Sequence, residues 1–142
     1  MTAAQPSVAE VLSRASHRST GFGTNQVLSC RLTDGCLTLR VEGSSSDALP
    51  DRLAQGVLEA FQILKPRRAA VDLSAVQTLP SVVLAFLVYF QKTADEHGVA
   101  KVLLFGVSPR VTTLLKMIGM ADFFVTVADE AAVSAWYDQH GQ

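Results

Sequence analysis

Ser81 heads the most apolar stretch of the chain, VQTLPSVVLAFLVYF (residues 76–90), behind Pro80 and ahead of nine uninterrupted apolar residues, Val82 to Phe90. A serine hydroxyl at a helix mouth can accept a hydrogen bond from a free backbone N–H, worth about 1 kcal/mol. The other groups able to do chemistry are sparse. Asp72 lies near the end of the run RAAVDL, a strand end where catalytic residues often sit, yet no acid or nucleophile in the sequence obviously pairs with it. Cys30 and Cys36 flank LTDG; if Asp34 and Gly35 form a two-residue hairpin loop, Cys30 lies opposite Leu39 rather than Cys36, and both are read as free thiols. His17, His97 and His140 fall in a connection, at a helix end and in the tail. None has a neighbour at His-x-x-x-His or Cys-x-x-Cys spacing, so no metal site is expected. The glycine patterns that cradle phosphates or carry a nucleophilic serine are absent, so neither an enzyme nor a cofactor is expected. Arg67 and Arg68 read as the solvated start of a strand.

The spacing of apolar residues says which elements would position Ser81. PSVAEVLSRAS offers Ser7 as an N-cap with Glu10 three residues on, then Val8, Val11, Leu12 and Ala15 at helical spacing. HRSTGFGTN reads as a flexible connection, with the folded body starting near Asn25. QVLSCRL and CLTLRV around the Asp-Gly turn form an antiparallel hairpin. From Pro50, an amphipathic helix carries Leu53, Val57, Leu58 and Phe61 and is stopped by Pro66. RAAVDL is a buried third strand, the stretch from Ser81 to about Gly98 a helix, and KVLLFG a fourth strand. Ser108 and Pro109 start a helix with the core stripe Val111, Leu114, Leu115 and Ile118, closed by Gly119. DFFVTV supplies a short fifth strand, and Thr126 and Asp129 mark the start of a last helix. The order after the N-terminal helix is ββαβαβαβα. Right-handed crossovers then give an α/β fold: a mixed, mostly parallel sheet of about five strands with four helices, plus the short N-terminal helix.

The chain of 142 residues suits one domain at 25–142, preceded by a helix and linker at 1–24. Hydrophobic residues make up 49% and charged residues 18%, so either the core is large or some surface is apolar. A net charge of −1 gives no field to draw in nucleic acid or an anionic membrane. The longest apolar run is about half of the ~20 residues a membrane-spanning helix needs, and the first twenty residues lack the pattern of a signal peptide. A cytoplasmic protein without membrane insertion is expected.

The order of elements, with VDLSAVQTLPS, KVLLFGVSPRVTTLLKMIGMADFF and the hairpin end LRVEG, resembles the STAS domain, the fold of bacterial anti-sigma-factor antagonists, over about residues 26–139. Members of that family typically carry Asp-Ser-Ser-Gly-Leu where the strand after VDLS turns into the next helix. The serine after the aspartate is phosphorylated by a partner kinase that is also the anti-sigma factor. By position that serine is Ser81, with Pro80 in place of the aspartate, Val82 in place of the second serine and Val83 in place of the glycine. The loop after the second strand, commonly Gly-Glu-Leu-Asp, reads Gly43, Ser44, Ser45, Ser46 and then Asp47, an acidic residue one place late.

The resemblance implies a switch. Phosphorylation adds close to two negative charges, which a helix N-terminus stabilises while a docked surface must accommodate or reject them. The implied partner is an anti-sigma factor or histidine-kinase-like serine kinase, held by Pro80, Ser81, Val82, Val83, Phe86, Tyr89, Ser46 and Asp47. On the helix itself, Leu84, Leu87, Val88, Gln91 and Ala94 follow one face, which fits the sheet. Val82, Phe86, Tyr89 and Thr93 follow a second, unexpectedly apolar face. A partner protein, a homodimer or cover by the N-terminal helix would each explain it. Two other functions remain beside the switch. One is a STAS scaffold or accessory subunit that meets no kinase, for example in a lipid-transport complex. The other is a small-molecule sensor, for which no residue in the sequence speaks.

Overall fold

The computed structural model describes residues 6–21, 24–43, 45 and 47–140. In chain order the elements are α1 (Val8–Arg14), β1 (His17–Gly21), β2 (Thr24–Thr33), β3 (Cys36–Gly43), α2 (Asp51–Leu64), β4 (Arg68–Ala75), α3 (Ser81–Glu96), β5 (Leu103–Phe105), α4 (Pro109–Met117), β6 (Val125–Val127) and α5 (Glu130–Gln139). The strands lie side by side in sequence order; β1, β2 and β3 pair antiparallel, and β3 to β6 pair parallel.

That order decides where the helices go. Each crossover from β3 to β6 steps one strand in the same direction, and right-handed connections therefore put α2, α3 and α4 on one face. The main core lies beneath them, with Leu28, Leu39, Leu53, Phe61, Leu73, Leu87, Phe90 and Val111 all buried. The chain after β6 crosses to the opposite face, where α5 buries Val133 and Tyr137 against Ala70, Leu103 and Phe105. The Tyr137 hydroxyl accepts from the amide of Ala69 (3.1 Å) and reaches the carbonyl of Lys101 (2.5 Å), which ties α5 to β4 and to the approach to β5.

The hairpin forms as its turn residues require. Asp34 and Gly35 both have positive φ (51° and 78°), the geometry of a two-residue turn whose twist matches the strands it joins. The resulting register puts Cys30 opposite Leu39, and both cysteines are free thiols. Burial pushes the Cys30 thiol up to about 12.

One expectation needs correction, and one of the alternatives for the apolar face of α3 falls away. The connection expected from residue 17 is strand β1 over its first five residues, pairing His17 with Leu28 and Gly21 with Thr24. Its serine, threonine and glycine show no alternation of apolar and polar side chains; pairing with β2 supplies the order that local pattern does not. Among the described residues the sheet accordingly has six strands. The N-terminal helix, capped by the Ser7 hydroxyl accepting from the Glu10 amide, packs on α2 and β2 rather than on α3. Val11 and Ala15 are buried there. Gly56 permits the contact, because a Cβ at that position would sit 2.0 Å from the Arg14 carbonyl oxygen.

The faces of α3 also differ from expectation. Val83, Leu87, Phe90 and Ala94 form the centre of its buried stripe, flanked by Phe86, Gln91 and Thr93, while Leu84 and Val88 are only half-buried. The wide apolar arc is explained by α2. Phe90 meets Phe61 edge-on at 5.5 Å, and the Tyr89 hydroxyl donates to the Ala54 carbonyl at 2.9 Å. Gln91, buried and polar, is satisfied by donating to Ala100 (3.1 Å) and accepting from the Val102 amide (2.8 Å), so it fixes the start of β5 against α3.

Candidate functional site

The mouth of α3 is built from the loop that leaves β4. Val76 and Leu79 are buried and anchor it, while Gln77, Thr78 and Ser81 point outward. Pro80 is the N-cap residue, extended at φ −60° and ψ 152°, and no side chain caps the helix. The proline carbonyl accepts from Val83 (3.0 Å) and Leu84 (2.9 Å). Ser81 is thus not the cap expected from its position. It is the first helical residue, exposed, on a helix whose first turn carries no acid. The N–H groups of Ser81 and Val82 precede the first intrahelical bond, and the positive end of the dipole is left without a charged complement.

Beside this mouth lies an open groove of roughly 450 Å³, between Gln77 and Thr78 on one side and Pro109, Arg110, Thr113, Leu114 and Met117 of α4 on the other. Met117 is 79% exposed and Ile118 44%. Ile118 lies outside the core stripe that its spacing suggests, because the helix ends one residue before it. Ser108 caps α4 as expected, its hydroxyl accepting from Val111 at 3.2 Å.

The remaining candidates separate. Pro80 and Val82 are half-buried and Asp47 is exposed. Val83 is fully buried and Phe86 nearly so; they cannot present a contact surface and act as the core side of the helix. Tyr89 spends its hydroxyl on α2. Ser46 lies outside the described residues. The Asp47 amide donates to the buried Ser45 hydroxyl (3.1 Å), and among the described residues no hydrogen bond joins Asp47 to Ser81.

Sequence reasoning missed a polar network behind the loop. Asp72 is buried, one oxygen accepting from Arg40 (2.7 Å), the other from the Ser74 amide (2.9 Å) and hydroxyl (2.6 Å). Burial opposes its charge, but the bonds from Ser74 and Arg40, with the Arg40 charge, outweigh that and hold the carboxyl below the ordinary range. Both oxygens are engaged, which suits Asp72 to fixing the end of β4 rather than to moving protons. Arg40 faces Asp72 in the parallel register of β3 and β4. That partner becomes visible only once the two strands are known to be neighbours.

Among the described residues no group of three or more His, Cys, Asp or Glu could hold a metal ion, and no helix is long and apolar enough to cross a membrane. The STAS domain model matches residues 28–133, and the chain belongs to the STAS domain family. Its fold is similar to that of a serine-to-glutamate variant of RsbS from Moorella thermoacetica, with 15% identity and a TM-score of 0.64 over 80% of this chain and 96% of that one. It is also similar to a protein of Thermotoga maritima described as a candidate anti-sigma factor antagonist. The crystal structure of that protein aligns with 15% identity and a TM-score of 0.62 over 77% of this chain and 92% of the other. No curated protein sequence matches the chain.

Proposed function

We propose that this chain is a regulatory protein-binding module of the anti-sigma-factor-antagonist kind, whose complex with an anti-sigma factor or histidine-kinase-like serine kinase is switched by phosphorylation of Ser81. The observation that carries the reading is the exposed Ser81 on an uncapped helix mouth, next to an apolar groove bordered by the exposed Met117. The contact surface is then Pro80, Ser81 and Val82, joined by Gln77, Thr78 and Met117. Unphosphorylated protein binds and frees whatever the partner held; phosphoserine puts two charges beside the apolar side chains of Pro80, Val82 and Met117 and releases the partner. Such a partner is cytoplasmic, and so on this reading is the chain. It turns over no substrate itself.

A second reading has its own observation. Pro80 occupies the N-cap with no acid in the first turn, where a family kinase meets an aspartate. A STAS scaffold that meets no kinase needs none there. The two are told apart by isolating the tagged chain from its native cells as wild type and as Ser81→Asp. A kinase-like partner recovered with the first and lost with the second supports the switch. The same partners recovered with both leave the scaffold.

A further inference from the structure

A second site lies at the bend between α1 and β1, away from the α3 mouth. Over residues 11–41 the chain carries Arg14, Arg18, Arg31 and Arg40 against a single acid, Asp34, although the whole molecule is nearly neutral. The fold gathers part of this charge. A shallow cleft of roughly 460 Å³ is lined by Ser13, Arg14, Ser16, His17, Arg18 and Arg52, backed by β2. Among the described residues no carboxylate lines it. Arg14 is shared between Glu10 (3.9 Å) and Glu59 (3.6 Å). Arg52 gives one N–H to the Ser16 carbonyl (3.3 Å), and among the described residues neither Arg52 nor Arg18 lies within ion-pair distance of an acid.

His17 marks the same place. Its Nδ1 is buried and has no hydrogen-bond partner among the described residues, although a buried ring nitrogen ordinarily finds one. Burial and the neighbouring Arg52 both lower its pKa. His17 and Arg18 both line the cleft at the start of β1.

We infer that this cleft binds a small phosphate-type oxyanion, held by the guanidinium groups of Arg18 and Arg52 with His17 beside them. Guanidinium forks match phosphate oxygens two at a time, which favours phosphate over a simple halide. The cleft is polar and shallow, so the ligand is a di- or polyphosphate group rather than an apolar body. This site does not depend on the partner-switch reading, since α1 and β1 lie apart from Ser81 in the sheet order.

The test uses the full chain and inorganic pyrophosphate. Titration calorimetry, with the ring signals of His17 followed by NMR, is run on wild type, Arg52→Gln, Arg18→Gln and Arg67→Gln. Arg67 is the control, because it lines a different cleft formed with Lys65 and His97. The expected result is saturable binding that moves the His17 signals, weakens about tenfold or more in Arg52→Gln and in Arg18→Gln, and persists in Arg67→Gln. Absence of binding overturns the proposal. So does binding that falls equally in all three variants or leaves His17 unmoved, since it would then report diffuse charge. All three arginines are on the surface, and circular dichroism checks that each variant is folded.

Discussion

Replacing Ser81 with aspartate should make this protein more stable while removing its partner. The structure sets the magnitude. The first turn of α3 has no acidic residue and no side-chain cap, so a carboxylate at the first helical position meets an uncompensated positive helix end, a gain of about 0.3–1 kcal/mol at low salt. For a domain of this size that is a rise in Tm of roughly 1–4 °C. Two controls fix the cause. Ser81→Ala should lie within about 0.5 kcal/mol of wild type, because Ser81 is exposed and is not the N-cap. Ser108→Ala should cost about 1 kcal/mol, because that hydroxyl does cap α4. Thermal unfolding in low salt and in 1 M salt reads all three, and the gain from aspartate should largely vanish at high salt. A Ser81→Ala loss as large as that of Ser108→Ala would refute the reasoning, for it would mean that the serine is there to hold the helix. A lower Tm for Ser81→Asp would show that the mouth rejects negative charge.

Other expectations follow from the same contacts. Asp72→Asn removes a buried charge-assisted bond to Arg40, and denaturant unfolding at neutral pH should show a loss of about 2 kcal/mol. Because the folded carboxyl is held low, its contribution is complete above the ordinary carboxylate value near 4 and is lost as pH falls through the lower folded value. The difference between Asp72→Asn and wild type should therefore shrink only in acid; a constant difference down to pH 2 would contradict the assignment. Gly56→Ala gains about 1 kcal/mol of helix propensity, but its methyl meets backbone at 2.0 Å. Calorimetry should show a net loss of about 1–2 kcal/mol, and the exposed neighbour Gln55→Ala no loss. Met117→Ser, at a 79% exposed position, should leave stability within about 0.5 kcal/mol and weaken capture of the partner; unchanged capture would remove the groove from the interface.

The parts of the fold that follow local chemistry were legible in the sequence. Ser7, Ser108 and Asp129 all cap the helices they precede, and the Asp-Gly turn sets the hairpin register, since each acts within a few residues of itself. What was not legible depends on neighbours brought from afar. Strand β1 carries no alternation of its own and owes its order to β2. Phe86 and Tyr89 looked like surplus apolar surface because spacing along α3 shows one wall at a time, whereas α2 and the sheet bury the helix from two sides. Arg40 could not be matched to Asp72 before β3 and β4 were known to be parallel neighbours. Position alone put Ser81 at the helix mouth; that the proline before it takes the cap needed backbone geometry.

On the proposed function, Ser81 is the switch. Intact-mass analysis of the protein isolated from its native cells, with fragment mapping of any added phosphate, tests it most directly. One phosphate is expected, on Ser81, in a fraction of the molecules that changes with growth condition. A chain that carries none under any condition, or carries it elsewhere, would mean that Ser81 is not the switch.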